Sequence, residues 1–260
     1  MKIKLFSLCC LCLTWLGLAQ AADTLPDNFV GFWDVVSVAP DGKDQPHWQY
    51  QPADPQLLGR EMHIAAAGLQ FKSMLPDCSL TRWKREENTV GKLIGKHYER
   101  IDRNGAKRQP QLADFGLKLN AKQIVTVYAP ECQSASKKAD WDGMRFVFLN
   151  DKTLLLAFDA SVVLTLEKRG EKQAVRASFN CAKASTKTEK AICSNHALAG
   201  YDRSISTAWR NALHNLPEES ERLRREQAEW LKQRDACGSA VECLDETMWR
   251  RLDALMQEKK

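Results

Sequence analysis

MRFVFLNDKTLLLAFDASVVLTLE, residues 144–167, decides the fold class. Its apolar and β-branched residues form runs at 144–149 and 153–158 around Asn150-Asp151, and a third run comes soon after at 162–167. Short apolar runs bounded by turn residues read as strands, and the break at Asn150-Asp151 reads as a hairpin turn. The pattern continues outward. Residues 29–38 and 62–71 are further runs, and residues 115–119 break at Asn120-Ala121 and resume at 123–128 as a second hairpin. Weaker segments lie at 80–83 and 93–98. This makes about eight or nine strands, and a meander of that number closes into an up-and-down antiparallel barrel, which removes exposed strand edges.

After Gly170 the pattern changes. Residues 171–177 read as a short charged linker, and the chain beyond them has helical spacing. Thr186 with Glu189 is a capping box for a first helix, and Ser194 or Asn195 caps the next. Leu198, Tyr201, Ile205, Trp209, Ala212 and Leu216 recur at i, i+3/i+4 until Pro217 ends the helix. A third, heavily charged helix over 218–236 has a narrow stripe of Leu223, Ala228, Trp230 and Leu231; a fourth, from about Val241, aligns Leu244, Met248, Leu252 and Leu255. The expected fold class is two-domain α+β: an antiparallel up-and-down β-barrel over 22–170, the linker 171–177, and a small disulfide-bonded four-helix domain over 178–260.

The first residues read as an export signal. Lys2 and Lys4 precede an apolar run over 5–18, and Ala19-Gln20-Ala21 has the small-x-small pattern cleaved by signal peptidase, so residues 1–21 are expected to leave. That run is shorter than the roughly 20 residues a spanning helix needs, and no later segment is apolar enough, so the mature chain is expected in the periplasm or secreted. Cys9, Cys10 and Cys12 leave with the signal. Cys78, Cys132, Cys181, Cys193, Cys237 and Cys243 remain, and an even count in an exported chain reads as a disulfide framework. Their distribution suggests one bridge, Cys78–Cys132, in the first domain and two in the second. None forms a C-x₂-C knuckle and the histidines are scattered, so neither metal nor other cofactor is expected.

Without Lys2 and Lys4, 36 basic side chains face 33 acidic ones. That balance, with no long basic run, argues against nucleic acid. His47, His63, His97, His196 and His214 stand apart, with no Gly-x-Ser-x-Gly elbow, phosphate-cradling glycine loop or dinucleotide fingerprint. Two carboxylates of glycosidase type stay open, because any two Asp or Glu can meet in space. The expectation is a binding protein, not an enzyme.

Two resemblances extend this reading. Gly31-Phe32-Trp33, after Leu25-Pro26-Asp27-Asn28-Phe29, resembles the Gly-x-Trp fingerprint of lipocalins and the wider calycin group. The resemblance implies that Trp33 packs across the closed end of the barrel near a basic residue of the last strand, Lys168 or Arg169. In the last third, Cys181-Ala182-Lys183-Ala184-Ser185-Thr186 with Glu189, Ile192, Cys193, Leu198 and Asp202-Arg203 is similar to the opening of the LprI-like lysozyme-inhibitor domain. Gln227, Trp230, Arg234, Asp235, Cys237 and Cys243-Leu244 are similar to its closing half. That resemblance covers 178–257 and implies an exported all-helical fold.

Within it, Cys181–Cys193 would tie the first helix start to its end and Cys237–Cys243 would close the last interhelical turn, with cross-pairing of Cys181 to Cys237 or Cys243 as the alternative. Arg234 and Asp202 are a candidate charged pair, and Trp209, Trp230 and Trp249 are expected as packing residues. The resemblance makes lysozyme or another peptidoglycan hydrolase the expected partner. The candidate contact is the loop Gly238-Ser239-Ala240-Val241-Glu242, with Gly238, Ser239 and Glu242 as its marked residues. Against this, Glu242 would meet a carboxylate-lined cleft, and from Phe179 onward 14 basic residues nearly balance 13 acidic ones. A local acidic patch of Glu218, Glu219 and Glu221 could stand in for missing steering charge. The alternatives are a carrier with a small apolar ligand in the barrel and a cell-envelope scaffold.

Overall fold

In the computed structural model the described residues are 25–44, 49–72, 74–101, 105–133, 141–159 and 161–258. The expected signal segment with Cys9, Cys10 and Cys12 lies outside them, as does His47.

The deciding hairpin is β8 (Arg145–Asn150) with β9 (Thr153–Asp159), paired Asn150 to Thr153. The Asn150 side chain closes the turn by accepting from the Lys152 backbone N–H at 2.8 Å. β10 (Val162–Lys168) continues the meander and pairs with β1 (Gly31–Pro40). From β1 the chain passes through β2 (Glu61–Ala65), β3 (Gly68–Phe71) and the long β4 (Leu75–Thr89), and β4 then pairs with β7 (Ile124–Gln133). The order β1-β10-β9-β8-β7-β4-β3-β2 closes on itself, giving an eight-stranded antiparallel barrel. A separate ribbon, β5 (Arg100–Ile101) with β6 (Lys107–Arg108), sits in the excursion between β4 and β7.

The interior is filled by the chain's own side chains. Trp33, Met62, Phe71, Phe146, Leu154 and Leu164 are buried there, with Trp83 edge-on to Phe146 at 5.1 Å and Phe71 edge-on to Phe158 at 5.6 Å. Eight strands enclose a space just wide enough for such filling, and this packing counts against an apolar ligand in the barrel. Trp33 is fully buried and has the basic residue of the last strand near it. Its indole N–H donates to the Phe29 carbonyl at 2.9 Å, and the Lys168 ammonium lies 6.0 Å from its ring. Arg169 instead lies over Phe32, 5.5 Å from the ring, and pairs with Asp34 and Glu61.

Two expected strands are corrected. Residues 93–98 belong to α1 (Val90–His97) and the turn after it. Thr89 caps this helix, and Val90, Leu93 and Ile94 at helical spacing bury one face. Residues 115–119 are not a strand either: Leu112–Phe115 is a 3₁₀ turn, so no hairpin joins them to 123–128. Both segments lie on the outside of the barrel, against Val127, Val147, Leu155 and Val163. Strands covered on both faces need no polar alternation, which is why residues 153–158 and 162–166 read as nearly continuous apolar runs.

His97, at the end of α1, has a pKa lowered to about 4, by burial first and by the Arg145 charge second. An unfolded chain takes up this proton near the ordinary value of 6.5, so stability falls as pH drops from about 6.5 to about 4. Urea midpoints measured across that window should decline less steeply in His97→Gln than in the parent. Equal slopes would remove His97 from the acid response.

The helical region packs α2 (Lys187–Ser194), α3 (His196–Asn215), α4 (Ser220–Ala236) and α5 (Val241–Gln257). Thr186 and Glu189 form the reciprocal capping box, and Asn195 rather than Ser194 caps α3 by accepting from the Leu198 N–H at 3.0 Å. Leu198, Ile205, Leu244, Met248 and Leu252 make the core. Trp230 is buried, Trp209 and Trp249 pack on that core half-buried, and Ala228 is exposed, leaving the stripe of α4 narrower still. Val175 and Ala177 of the expected linker also pack on this core.

Barrel and helices touch where α3 crosses the turn before β2. An ideal Cβ on Gly200 would stand 2.6 Å from the Gly59 carbonyl oxygen, so only glycine permits this approach. The Ser204 hydroxyl donates to the Leu58 carbonyl at 3.1 Å, and the Arg60 guanidinium lies 3.6 Å from the centre of the Tyr201 ring. Burial lowers the Arg60 pKa to about 10. Lys72 and Asp245 add an ion pair at 3.3 Å.

Candidate functional site

The loop joining α4 to α5 is built by local rules. The Cys237 N–H bonds the Arg234 carbonyl, and Gly238 then turns the chain out of the helix at φ 58°, in the left-handed region glycine favours. The Gly238 N–H bonds the Asp235 carbonyl at 3.1 Å and the Ala240 N–H bonds the Cys237 carbonyl at 3.1 Å. Val241 opens α5, and Glu242 in its first turn complements the positive helix end. The Cys237–Cys243 bridge spans the turn with its Cα atoms 5.6 Å apart. A closed, internally hydrogen-bonded loop has little conformational freedom left to lose on docking.

The other bridges are Cys78–Cys132, across neighbouring strands β4 and β7, and Cys181–Cys193, which ties the turn before α2 to the last turn of that helix. The pairing is therefore sequential and not crossed.

Ser239 and Glu242 are exposed, Gly238 is half-buried, and Val241 is 37% exposed. Val241 is the large apolar side chain of the helical region that is exposed among the described residues, whereas Phe32, Val36, Ile101 and Ile124 are more exposed on the barrel domain. Ser239 and Val241 line a shallow groove of about 660 Å³ whose other wall is α2, with Lys187, Lys190, Ala191, Ser194 and Asn195. The loop's apolar tip thus has two cations beside it, which sequence spacing does not reveal because roughly 50 residues of chain separate the groove's two walls.

The remaining marked residues lie elsewhere and hold structure. Asp202 is buried on α3 and accepts from the Ser178 N–H at 2.6 Å, fastening the segment that leads into the helices. The expected Arg234–Asp202 pair is not formed. Arg234 pairs with its neighbour Asp235 at 2.8 Å and lies 5.4 Å from the Trp230 ring, because its side chain runs along α4. The Trp230 indole donates to the Thr247 carbonyl at 3.3 Å, and Gln227 accepts from Arg251 at 3.1 Å, so both stitch α4 to α5. Trp33 belongs to the barrel's core.

Of the acidic patch, Glu219 pairs with Arg222 at 2.9 Å, and the same guanidinium holds Glu226 and Glu258, each at 2.7 Å. Arg222 so offsets one of these carboxylate charges. Among the described residues no group of three or more His, Cys, Asp or Glu is placed to hold a metal ion, and no helix is long and apolar enough to cross a membrane.

Residues 181–258, which contain this loop and all four helices, match the family model described as Lysozyme inhibitor LprI. No curated protein and no solved structure matches the chain.

Proposed function

We propose, from that match, that the helical region inhibits a lysozyme or related peptidoglycan hydrolase by docking residues 238–242 at the enzyme's cleft, in the periplasm or outside the cell. The observation that carries this reading is the exposed Val241 on a disulfide-closed loop beside Lys187 and Lys190. A rigid apolar tip fits a cleft without a large ordering cost. The two lysines supply what Glu242 does not, positive charge for a cleft whose working groups are carboxylates. Ser239 then offers a hydroxyl at the rim, while Glu242 belongs to the first turn of α5, where it serves the helix end.

On the same reading residues 1–21 are an export signal, 22–170 a barrel domain, 171–177 the join and 178–260 the inhibitory domain. The protein acts by binding and performs no chemistry of its own. Its packed barrel interior favours a role in placing the inhibitor over one in carrying an apolar molecule.

Amide hydrogen exchange with and without an equimolar c-type lysozyme tests the docking. Protection should appear at 237–243 and along 187–195 and leave β1 and β10 unchanged. Protection confined to the barrel, or none at all, would sink the proposed contact.

A further inference from the structure

A second feature of the surface lies away from the helical region. Between the outer side of β4, β7 and β8 and the last turn of α1 is a half-enclosed crevice of about 540 Å³. Lys84, Arg85, Lys96 and Arg145 line it against one carboxylate, Glu86, and Leu93, Val127 and Ala129 add an apolar wall.

These cations come from three separate elements, β4, α1 and β8, so no local rule gathers them. A cation in the last turn of α1 offsets the helix carbonyl end and by itself accounts for Lys96. It does not account for Arg145, at the start of β8. The Arg145 guanidinium is aimed by two bonds from Nη1, to the Asp142 carbonyl at 2.9 Å and the Met144 carbonyl at 2.8 Å. Lys84 is shared with Glu131, which also holds Arg82. Among the described residues no carboxylate pairs with Lys96 or Arg145. Lys96 and Arg145 thus line one crevice without a carboxylate partner, an arrangement that something anionic would complete.

We propose that this crevice binds a phosphate ester, its phosphate between Arg145 and Lys96 and its organic substituent against Leu93, Val127 and Ala129. Lys96 and Arg145, two cations with no carboxylate of their own, suit a doubly charged group, and a guanidinium fork matches phosphate oxygens. The space exceeds that of a bare ion, and the apolar wall gives a glycerol- or sugar-sized substituent a surface. The source is a soluble ester or the headgroup of an envelope lipid. Either would hold the barrel at the cell envelope while the α4–α5 loop stays free, so this site and the inhibitory loop stand or fall separately.

The test is titration calorimetry of the whole mature protein with glycerol phosphate at constant ionic strength, beside flotation with phosphatidylcholine vesicles with and without phosphatidic acid. One saturable site is expected, weakened about tenfold in Lys96→Gln and in Arg145→Gln, as for loss of one charged hydrogen bond. Arg224→Gln, on exposed α4, should bind as the parent does. Flotation with phosphatidic acid that disappears in both variants identifies the lipid source; calorimetric binding without flotation identifies the soluble ester. Lys96 is exposed and makes no side-chain bond among the described residues, so its effect is separable from folding even where Arg145→Gln disturbs the 141–145 turn. No saturable binding to either probe, or affinity unchanged in Lys96→Gln, would overturn the proposal.

Discussion

Replacing Trp33 by alanine is expected to destabilise the barrel by about 3–5 kcal/mol, the usual cost of removing a large buried aromatic side chain. Trp33 is fully buried and sits edge-on to Phe148 at 5.5 Å, and Phe148 in turn stacks on Phe29 at 3.9 Å. Truncation empties the centre of this cluster and leaves the Phe29 carbonyl without its indole donor. The Lys168 ammonium, which bonds the Asn28 carbonyl, also loses the ring it faces. Barrel closure depends on this end, since Trp33 and Lys168 are paired in the β1–β10 register that joins first strand to last. Urea unfolding followed by circular dichroism should show a large drop in midpoint. A loss below about 1 kcal/mol would mean that the site collapses around the cavity and that Trp33 is not a keystone.

Gly200→Ala is expected to destabilise the junction of barrel and helices by about 1–3 kcal/mol, the range for overpacking a close contact. The sign is what makes this decisive. In an unobstructed helix interior, glycine to alanine stabilises by up to about 1 kcal/mol. Here the added Cβ meets the Gly59 carbonyl oxygen at 2.6 Å, a backbone atom that cannot swing aside. Relief requires α3 to lift, which weakens the Ser204–Leu58 bond and wets the Arg60 guanidinium under Tyr201. Thermal unfolding should begin earlier, and limited proteolysis should cut within 170–180 faster than in the parent. A gain in stability would show that α3 does not rest on that turn.

Much of the fold was legible because its signals are local. The Asn150 turn, the Thr186–Glu189 box, the Asn195 cap and the Pro217 stop each act within a few residues, so spacing alone exposes them. The failures have a common physical cause. Residues 93–98 are a short apolar run, and such runs suit a strand or a helix until something decides which face is covered. What decides is the outer wall of β7–β10, supplied by residues remote in sequence. The far half of β4 escapes a reading by pattern for the opposite reason: Lys84-Arg85-Glu86-Glu87-Asn88 shows no apolar alternation, and only its pairing with β7 makes it a strand. The contact of Gly59 with Gly200 joins residues about 140 positions apart in sequence. At the candidate loop, Gly238 and the flanking cysteines announce a turn. The cations beside it do not show, since Lys187 and Lys190 reach the groove only through the packing of α2.

Whether the α4–α5 loop inhibits a cell-wall hydrolase is read directly from lysozyme-driven turbidity loss against increasing amounts of the intact chain and of Val241→Asp. Aspartate in the first turn of α5 favours the helix, so the variant should keep its fold while presenting a carboxylate to the enzyme's own. Inhibition near stoichiometric concentration is expected from the parent and at least about tenfold weaker inhibition from the variant, a difference of about 1.4 kcal/mol. Absence of inhibition by the parent, or equal inhibition by both proteins, would contradict inhibition through this loop.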